Sequence, residues 1–213
     1  EHVSPRKIRR INYGYNFDQY DKHVPATVAA IKNRFNCRFL VLSIARLTAA
    51  KRHTMMFEAI QSMVAAGIDV KMVCLGGGPL KDELPVWIKE QQLDKHIFLE
   101  GIQPNVMDYL AAADLLIHLS ETEASNSVVK EAGLAKKPVI VCERVGDFSD
   151  YIKDGQNGFL VNKEAPVPHV KELLHNYYTQ TNELERLGAN LYQTVMQEFD
   201  INNVAVKYDE ILH

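Results

Sequence analysis

Five times in succession the chain passes from a short apolar run into a segment of helical periodicity, and this alternation restricts its fold more than any other feature. "RFLVLSI" (38–44) is continuous and β-branched, the pattern of a strand buried on both faces. From Lys51 to Ala66 the apolar residues Met55, Met56, Ala59, Ile60, Met63 and Val64 recur at helical spacing, and Gly67 supplies a stop. A second strand, "DVKMVCLGG" (69–77), precedes a helix over 79–92 with Pro79 in its first turn. Then come "HIFLEG" (96–101), a helix near 104–112, the strand "DLLIHLS" (114–120), a helix near 126–136 and the strand "PVIVC" (138–142).

Residues 146–161 read as a short helix, a tight turn and a small strand, with Asp154-Gly155 and Asn157-Gly158 as turn chemistry. The remainder is helical. Asp200 is placed to cap the last helix, whose stripe of Ile201, Val204, Ala205, Tyr208, Ile211 and Leu212 is expected to cover its own domain or pack on another surface. The order predicts an α/β fold with a doubly wound, mostly parallel, Rossmann-like sheet. Ligands of such sheets bind beyond the carboxyl ends of the strands, which directs attention to the loops after residues 44, 75, 99, 119 and 142.

Composition narrows the partners. A net charge of −3 over 213 residues argues against nucleic-acid binding, which needs a strongly basic face. No apolar run is long enough to span a membrane, and the first residues lack the apolar centre of a signal peptide. Cys37, Cys74 and Cys142 are too few and too far apart for a disulfide framework or a zinc site. These features point to a cytoplasmic protein, free or peripheral on the cytoplasmic face of a membrane. The chain opens on Glu1 and a basic arm, which suggests a piece of something longer.

The rim loops carry the polar chemistry. Arg46 and Lys51 lie five apart in a strand-to-helix loop, where two cations beside a helix N-terminus suit a diphosphate; a solvated pair is the plainer reading. "GGGPL" (76–80) either lets backbone approach a ligand or makes a tight turn, and it matches neither GxGxxG nor a Walker loop. In "SETEASNSVVKEAG" (120–133), Glu123 precedes a helix start and Glu131 falls at the edge of that helix's apolar face, with Lys130 outward. Leaning toward the helix N-terminus, Glu131 is expected to point at the strand ends where Glu123 sits, and a polyhydroxyl ligand would satisfy both carboxylates. His118 either lines this site or is a satisfied core histidine. His53 is expected on exposed helix surface, and Glu121 as a solvated acid. No D-x-D and no metal-ligand spacing occurs, so no obligate metal or other cofactor is expected.

Taken in order, "ARLTAAK", "LGGGPLKDEL", "IFLEGIQPNVMDYLAAADLLIHLSETEASNSVVKEAG" and "DGQNGFLV" resemble the C-terminal half of retaining glycosyltransferases of family 4, with the GT-B fold, over nearly the whole chain. The resemblance implies an interdomain linker over 1–20, a nucleotide-sugar-binding domain over 21–199, a crossover helix over 200–213, and an N-terminal acceptor domain missing from the chain. It implies a UDP- or GDP-linked sugar as partner, an unspecified glycan or lipid acceptor, and a fragment that binds donor without turnover. By the same resemblance the catalytic residues are Arg46 and Lys51, gripping the diphosphate, and Glu123, orienting the transferred sugar. Glu131 holds the ribose hydroxyls. Backbone at Gly101 and Ile102 frames the base, Gly76 and Gly77 lie near the donor, and Ser125, Asn126 and Ser127 meet phosphate or sugar oxygens.

Two departures stand out. Ala124-Ser125-Asn126-Ser127 replaces the Gly-Phe-Gly of many relatives, and Gly146-Asp147 replaces a Gly-Gly. A non-catalytic nucleotide-sugar- or partner-binding module of the same fold stays open as the alternative, and a nicotinamide-dependent oxidoreductase as a third reading that lacks its fingerprint.

Overall fold

The computed structural model describes residues 11–20 and 23–212. Of the expected linker arm, residues 1–10 and the side chain of Gln19 lie outside the described residues, as do Asp21, Lys22, His213 and the side chain of Leu212.

Six strands form one sheet: β1 (Phe39–Ile44), β2 (Val70–Leu75), β3 (Ile97–Gly101), β4 (Leu115–His118), β5 (Val139–Cys142) and β6 (Phe159–Val161). Their order is β3-β2-β1-β4-β5-β6 and every pairing is parallel, as the alternation requires. β1 is buried almost throughout because helices cover both faces, which is why its sequence is apolar without alternation.

The crossovers are α2 (His53–Ala65), α3 (Glu83–Glu90), α4 (Val106–Ala112), α5 (Ser127–Leu134) and α6 (Phe148–Tyr151); α7 (Pro166–Tyr177), α8 (Thr181–Phe199) and α9 (Ile201–Leu212) follow the last strand. α1 (Pro25–Phe35) precedes the first strand and was not legible in the sequence, since only Ile31 and Phe35 of its eleven residues are buried. The helix expected over 79–92 is divided, a 3-10 turn at Pro79–Lys81 running into α3. α2 packs on α7, α1 on α4 and α5 on α8, closing a core that includes Met56, Met63, Cys74 and Cys142. None of the described helices is long and apolar enough to cross a membrane.

The first described segment meets the end of α8. Tyr15 N–H donates to the Phe199 carbonyl (2.7 Å), and Ile201 N–H donates to the Tyr15 carbonyl (3.0 Å), making a parallel bridge between Tyr15 and Asp200. Asp200 caps α9 as expected, its Oδ1 accepting from Asn202 N–H (3.0 Å). The stripe on α9 covers its own domain at one position only. Val204 is buried, but Ile201, Tyr208 and Ile211 are 43%, 52% and 47% exposed.

The progression of strands reverses between β1 and β4. At such a switch point the loops leaving the two strands diverge and open a crevice. The loops in question are 45–52 and 119–126.

Candidate functional site

The β1–α2 loop closes with a 3-10 turn, Ala49–Lys51, and Arg52 takes up a left-handed conformation (φ 54°) before α2 begins. The β4–α5 loop is tied to it at two points. Glu121 N–H donates to the Ala50 carbonyl (2.8 Å), and Arg52 bonds the Glu121 carboxylate through Nε (3.0 Å) and a terminal nitrogen (2.8 Å) while giving its other terminal nitrogen to the Lys163 carbonyl (2.6 Å). Glu121 is therefore half-exposed yet paired. Arg52, which sequence reasoning did not single out, is the clamp that holds the two rims in register.

Between the rims lies a charge cluster. Lys51 Nζ is ion-paired with Glu123 Oε1 and donates to Ser120 Oγ (3.2 Å). His118 Nε2 stands 2.7 Å from the same Glu123 oxygen, donating its proton there. This histidine is both buried in β4 and part of the cluster, so the two readings of it converge. Burial works against ionisation of Glu123, but the bonds from His118 and Lys51 outweigh it and hold the carboxyl at about 2. Arg46 sits exposed on the same rim; among the described residues its guanidinium makes no hydrogen bond or ion pair.

α5 begins at Ser127, with Asn126 as its cap: Oδ1 accepts from Val129 N–H (3.1 Å). Ser125 Oγ donates to Asp147 Oδ2 (2.8 Å), so Asp147 and the 123–127 loop form one wall. Within that wall Gly146 has φ 53°, and a Cβ there would stand 2.9 Å from Glu123 Cβ.

Glu131 lies one turn into α5, half-buried, its carboxyl raised by burial against a hydrogen bond from Ser127. It lines an open cleft of about 510 Å³ with Tyr20, Val24 and the Pro104–Asp108 stretch at the start of α4. Among the described residues no hydrogen bond or ion pair joins it to Glu123, Arg46 or Lys51. The structure thus groups Lys51 and His118 with Glu123, places the Asn126 amide 3.3 Å from His118 Nε2, and joins Ser125 to Asp147 and Ser127 to Glu131, rather than presenting the two glutamates as one pair.

The glycines have a structural reason of their own. Gly76 (φ 137°) and Gly78 (φ 158°) pass so close to the β1 loop that a Cβ would fall 2.0 Å from the Ala45 carbonyl oxygen and 2.5 Å from that of Leu47. Gly77 is different: a Cβ there would stand 3.5 Å from the side chain of Ile102, which is 84% exposed. The turn reading holds for Gly76 and Gly78, and of the three only Gly77 has room for a side chain, in ordinary contact with Ile102.

Two expectations are overturned. Lys130 does not face out: it is 1% exposed, because Tyr15, Asp147, Tyr151 and Phe199 close over it. His53 is not on the surface: it is 2% exposed, with no hydrogen-bond partner for either ring nitrogen, because the rim loops cover the start of α2.

Residues 28–194 match the family model of the glycosyl transferases group 1. The chain belongs to that family. It is 28% identical over 174 residues to a poly(ribitol-phosphate) alpha-N-acetylglucosaminyltransferase of Staphylococcus aureus, covering 82% of this chain and 35% of that protein. It is 26% identical over 212 residues to an N-acetylgalactosamine-N,N'-diacetylbacillosaminyl-diphospho-undecaprenol 4-alpha-N-acetylgalactosaminyltransferase of Campylobacter jejuni, covering 97% of this chain and 54% of that one. The crystal structure of Anabaena Alr3699/HepE in complex with UDP-glucose superposes with a TM-score of 0.80 at 22% identity, over 93% of this chain and 55% of that one. This group 1 glycosyltransferase chain therefore has the Rossmann-like architecture of a GT-B enzyme and spans about half, or less, of the length of these relatives.

Proposed function

We propose that the chain is the donor-binding part of a retaining glycosyltransferase and holds a UDP- or GDP-linked sugar across the β1/β4 switch point. The observation that carries this reading is the Glu123 carboxylate, ionised and fixed between Lys51 and His118 where the strand order reverses. An ammonium has three N–H donors. Lys51 commits two, to Ser120 and Glu123, and offers the third to a phosphate oxygen. Arg46 supplies a second cation on the same rim, with no competing partner among the described residues. The ribose belongs in the Glu131 cleft, where a half-buried carboxyl accepts from vicinal hydroxyls, and the base beside Ile102. The UDP-glucose complex of the Anabaena protein favours a uridine nucleotide.

In the transfer, the bond from the anomeric carbon to the diphosphate oxygen breaks and an acceptor hydroxyl bonds to the same face of the sugar. The hydroxyl proton passes to the departing diphosphate, whose charge Arg46 and Lys51 stabilise as it develops. Glu123 orients the sugar through its hydroxyls. The acceptor is held by a further domain joined through the 11–20 segment and α9, whose exposed apolar stripe suits such a contact. A thermal-shift panel of UDP, GDP, UDP-glucose and GDP-mannose tests the reading, because a ligand that binds only the native state raises its melting point. At least one nucleotide is expected to raise it by several degrees; a panel with no shift overturns the assignment.

A further inference from the structure

Lys130 carries the most deeply buried ammonium of the described residues, and the transfer described above does not use it. Nζ donates to Ser125 Oγ (3.1 Å), to the Asn126 carbonyl (3.1 Å) and to Asp147 Oδ2 (2.9 Å). Three acceptors satisfy its three donors. The rings of Phe199, Tyr151 and Tyr15 complete the enclosure, with centroids at 4.4, 4.9 and 5.8 Å. A charge so far removed from water persists only where such partners offset its lost hydration.

Those partners come from separate parts of the chain. Ser125, Asn126 and Asp147 belong to the wall of the switch-point crevice that includes Glu123. Tyr15 and Phe199 belong to the bridge at which the first described segment and the end of α8 meet. Asp147 Oδ1 is buried without a partner, so the orientation of this carboxylate is set at its other oxygen, by Lys130 and Ser125. One ammonium is thus the common contact of that wall, of the first described segment and of the end of α8.

We propose that Lys130 is a positioning residue that couples the cleft wall to the Tyr15–Asp200 bridge, so that a nucleotide in the cleft tightens the bridge. The effect of a nucleotide rests on the donor reading above; the mechanical coupling does not. Amide hydrogen exchange of the whole chain tests both, read at the Tyr15 and Ile201 amides, which close the bridge, with Val41 in β1 as reference. Asp147→Asn alters only the wall end of the cluster, yet it is expected to speed exchange at Tyr15 and Ile201 by about fivefold or more while Val41 is unchanged. Lys130→Met is expected to do the same. If the two bridge amides exchange as in the parent, the coupling is wrong, and Asp147→Asn decides this even where Lys130→Met does not fold.

In a second arm, saturating UDP is expected to slow Tyr15 and Ile201 in the parent and to leave them unaffected in Lys130→Met. UDP that binds without slowing them overturns the coupling. If UDP, GDP and their sugars all fail to bind the parent, the donor reading falls, and the ligand-free comparison still decides the coupling.

Discussion

Lys51 and Glu123, 72 positions apart in sequence, meet as an ion pair between the two rims of the switch-point crevice. The pair pre-aims one cation and one carboxylate at the same small volume. Lys51→Met is expected to weaken UDP binding about tenfold or more by calorimetry, since a charge-assisted phosphate contact is worth a few kcal/mol. It also takes one of the donors from the Glu123 carboxylate, so stability falls by about 1–3 kcal/mol. Lys51→Met combined with Glu123→Gln separates the two effects: the melting point is expected to recover and nucleotide affinity is not. A double variant that binds UDP as the parent does would remove Lys51 from the site.

The separation of Glu131 from that pair gives a second prediction. If Glu131 serves the ribose end only, Glu131→Gln lowers affinity for UDP about tenfold while affinity for inorganic pyrophosphate stays within about twofold of the parent. Arg46→Ala is expected to weaken both ligands. The two variants compared by calorimetry thus map the cleft end to end, and equal losses in both ligands for Glu131→Gln would count against the ribose assignment.

His53 provides a pH dependence. Burial, with His118 and Lys51 nearby, lowers its pKa from 6.5 to about 4. Between those values the unfolded chain binds a proton that the folded chain does not, so stability falls as pH drops from 6.5 toward 4, by about 3 kcal/mol in all. Glu123 acts in a lower window: its depressed pKa stabilises the fold above 4.5, and that contribution is lost as pH falls toward 2. Urea melts of His53→Leu at pH 7 and pH 5 are expected to show a smaller difference than the parent. At pH 7 the substitution is expected to be near neutral, because neither ring nitrogen has a partner to lose. An unchanged pH 5 to pH 7 difference would mean that another group carries the acid sensitivity.

How much of this was legible before any coordinates follows from what each signal depends on. The strands of the doubly wound sheet were visible because continuous apolar runs arise wherever both faces of a strand are covered, and Gly67 marked a real helix end at φ 73°. Lys51 and Glu123 were visible one at a time. Their pairing was not, since it depends on β1 lying beside β4, which a loop sequence does not encode. Lys130 was misread because a helical wheel assumes a single buried face, whereas α5 is also covered by rings from positions 15, 151 and 199. The burial of His53 depends on rim loops that fold over the start of α2, which the helix's own sequence does not encode. α1 escaped because its buried stripe consists of two residues.

The glycine run separates a fold requirement from a ligand requirement within three residues. Gly76 adopts φ 137°, and a side chain there would meet the Ala45 carbonyl oxygen at 2.0 Å, a contact that backbone cannot yield cheaply. Gly76→Ala is therefore expected to cost at least about 3 kcal/mol, or about 10 °C in melting temperature for a domain of this size. Gly77 meets nothing nearer than the Ile102 side chain at 3.5 Å, an ordinary contact, so Gly77→Ala is expected to melt within about 2 °C of the parent. Any loss of UDP affinity in Gly77→Ala then reports directly on the ligand, because the fold is not disturbed. A Gly77→Ala variant that keeps both melting point and UDP affinity would place the base away from Ile102, while a Gly76→Ala variant as stable as the parent would refute the close approach of the two rim loops.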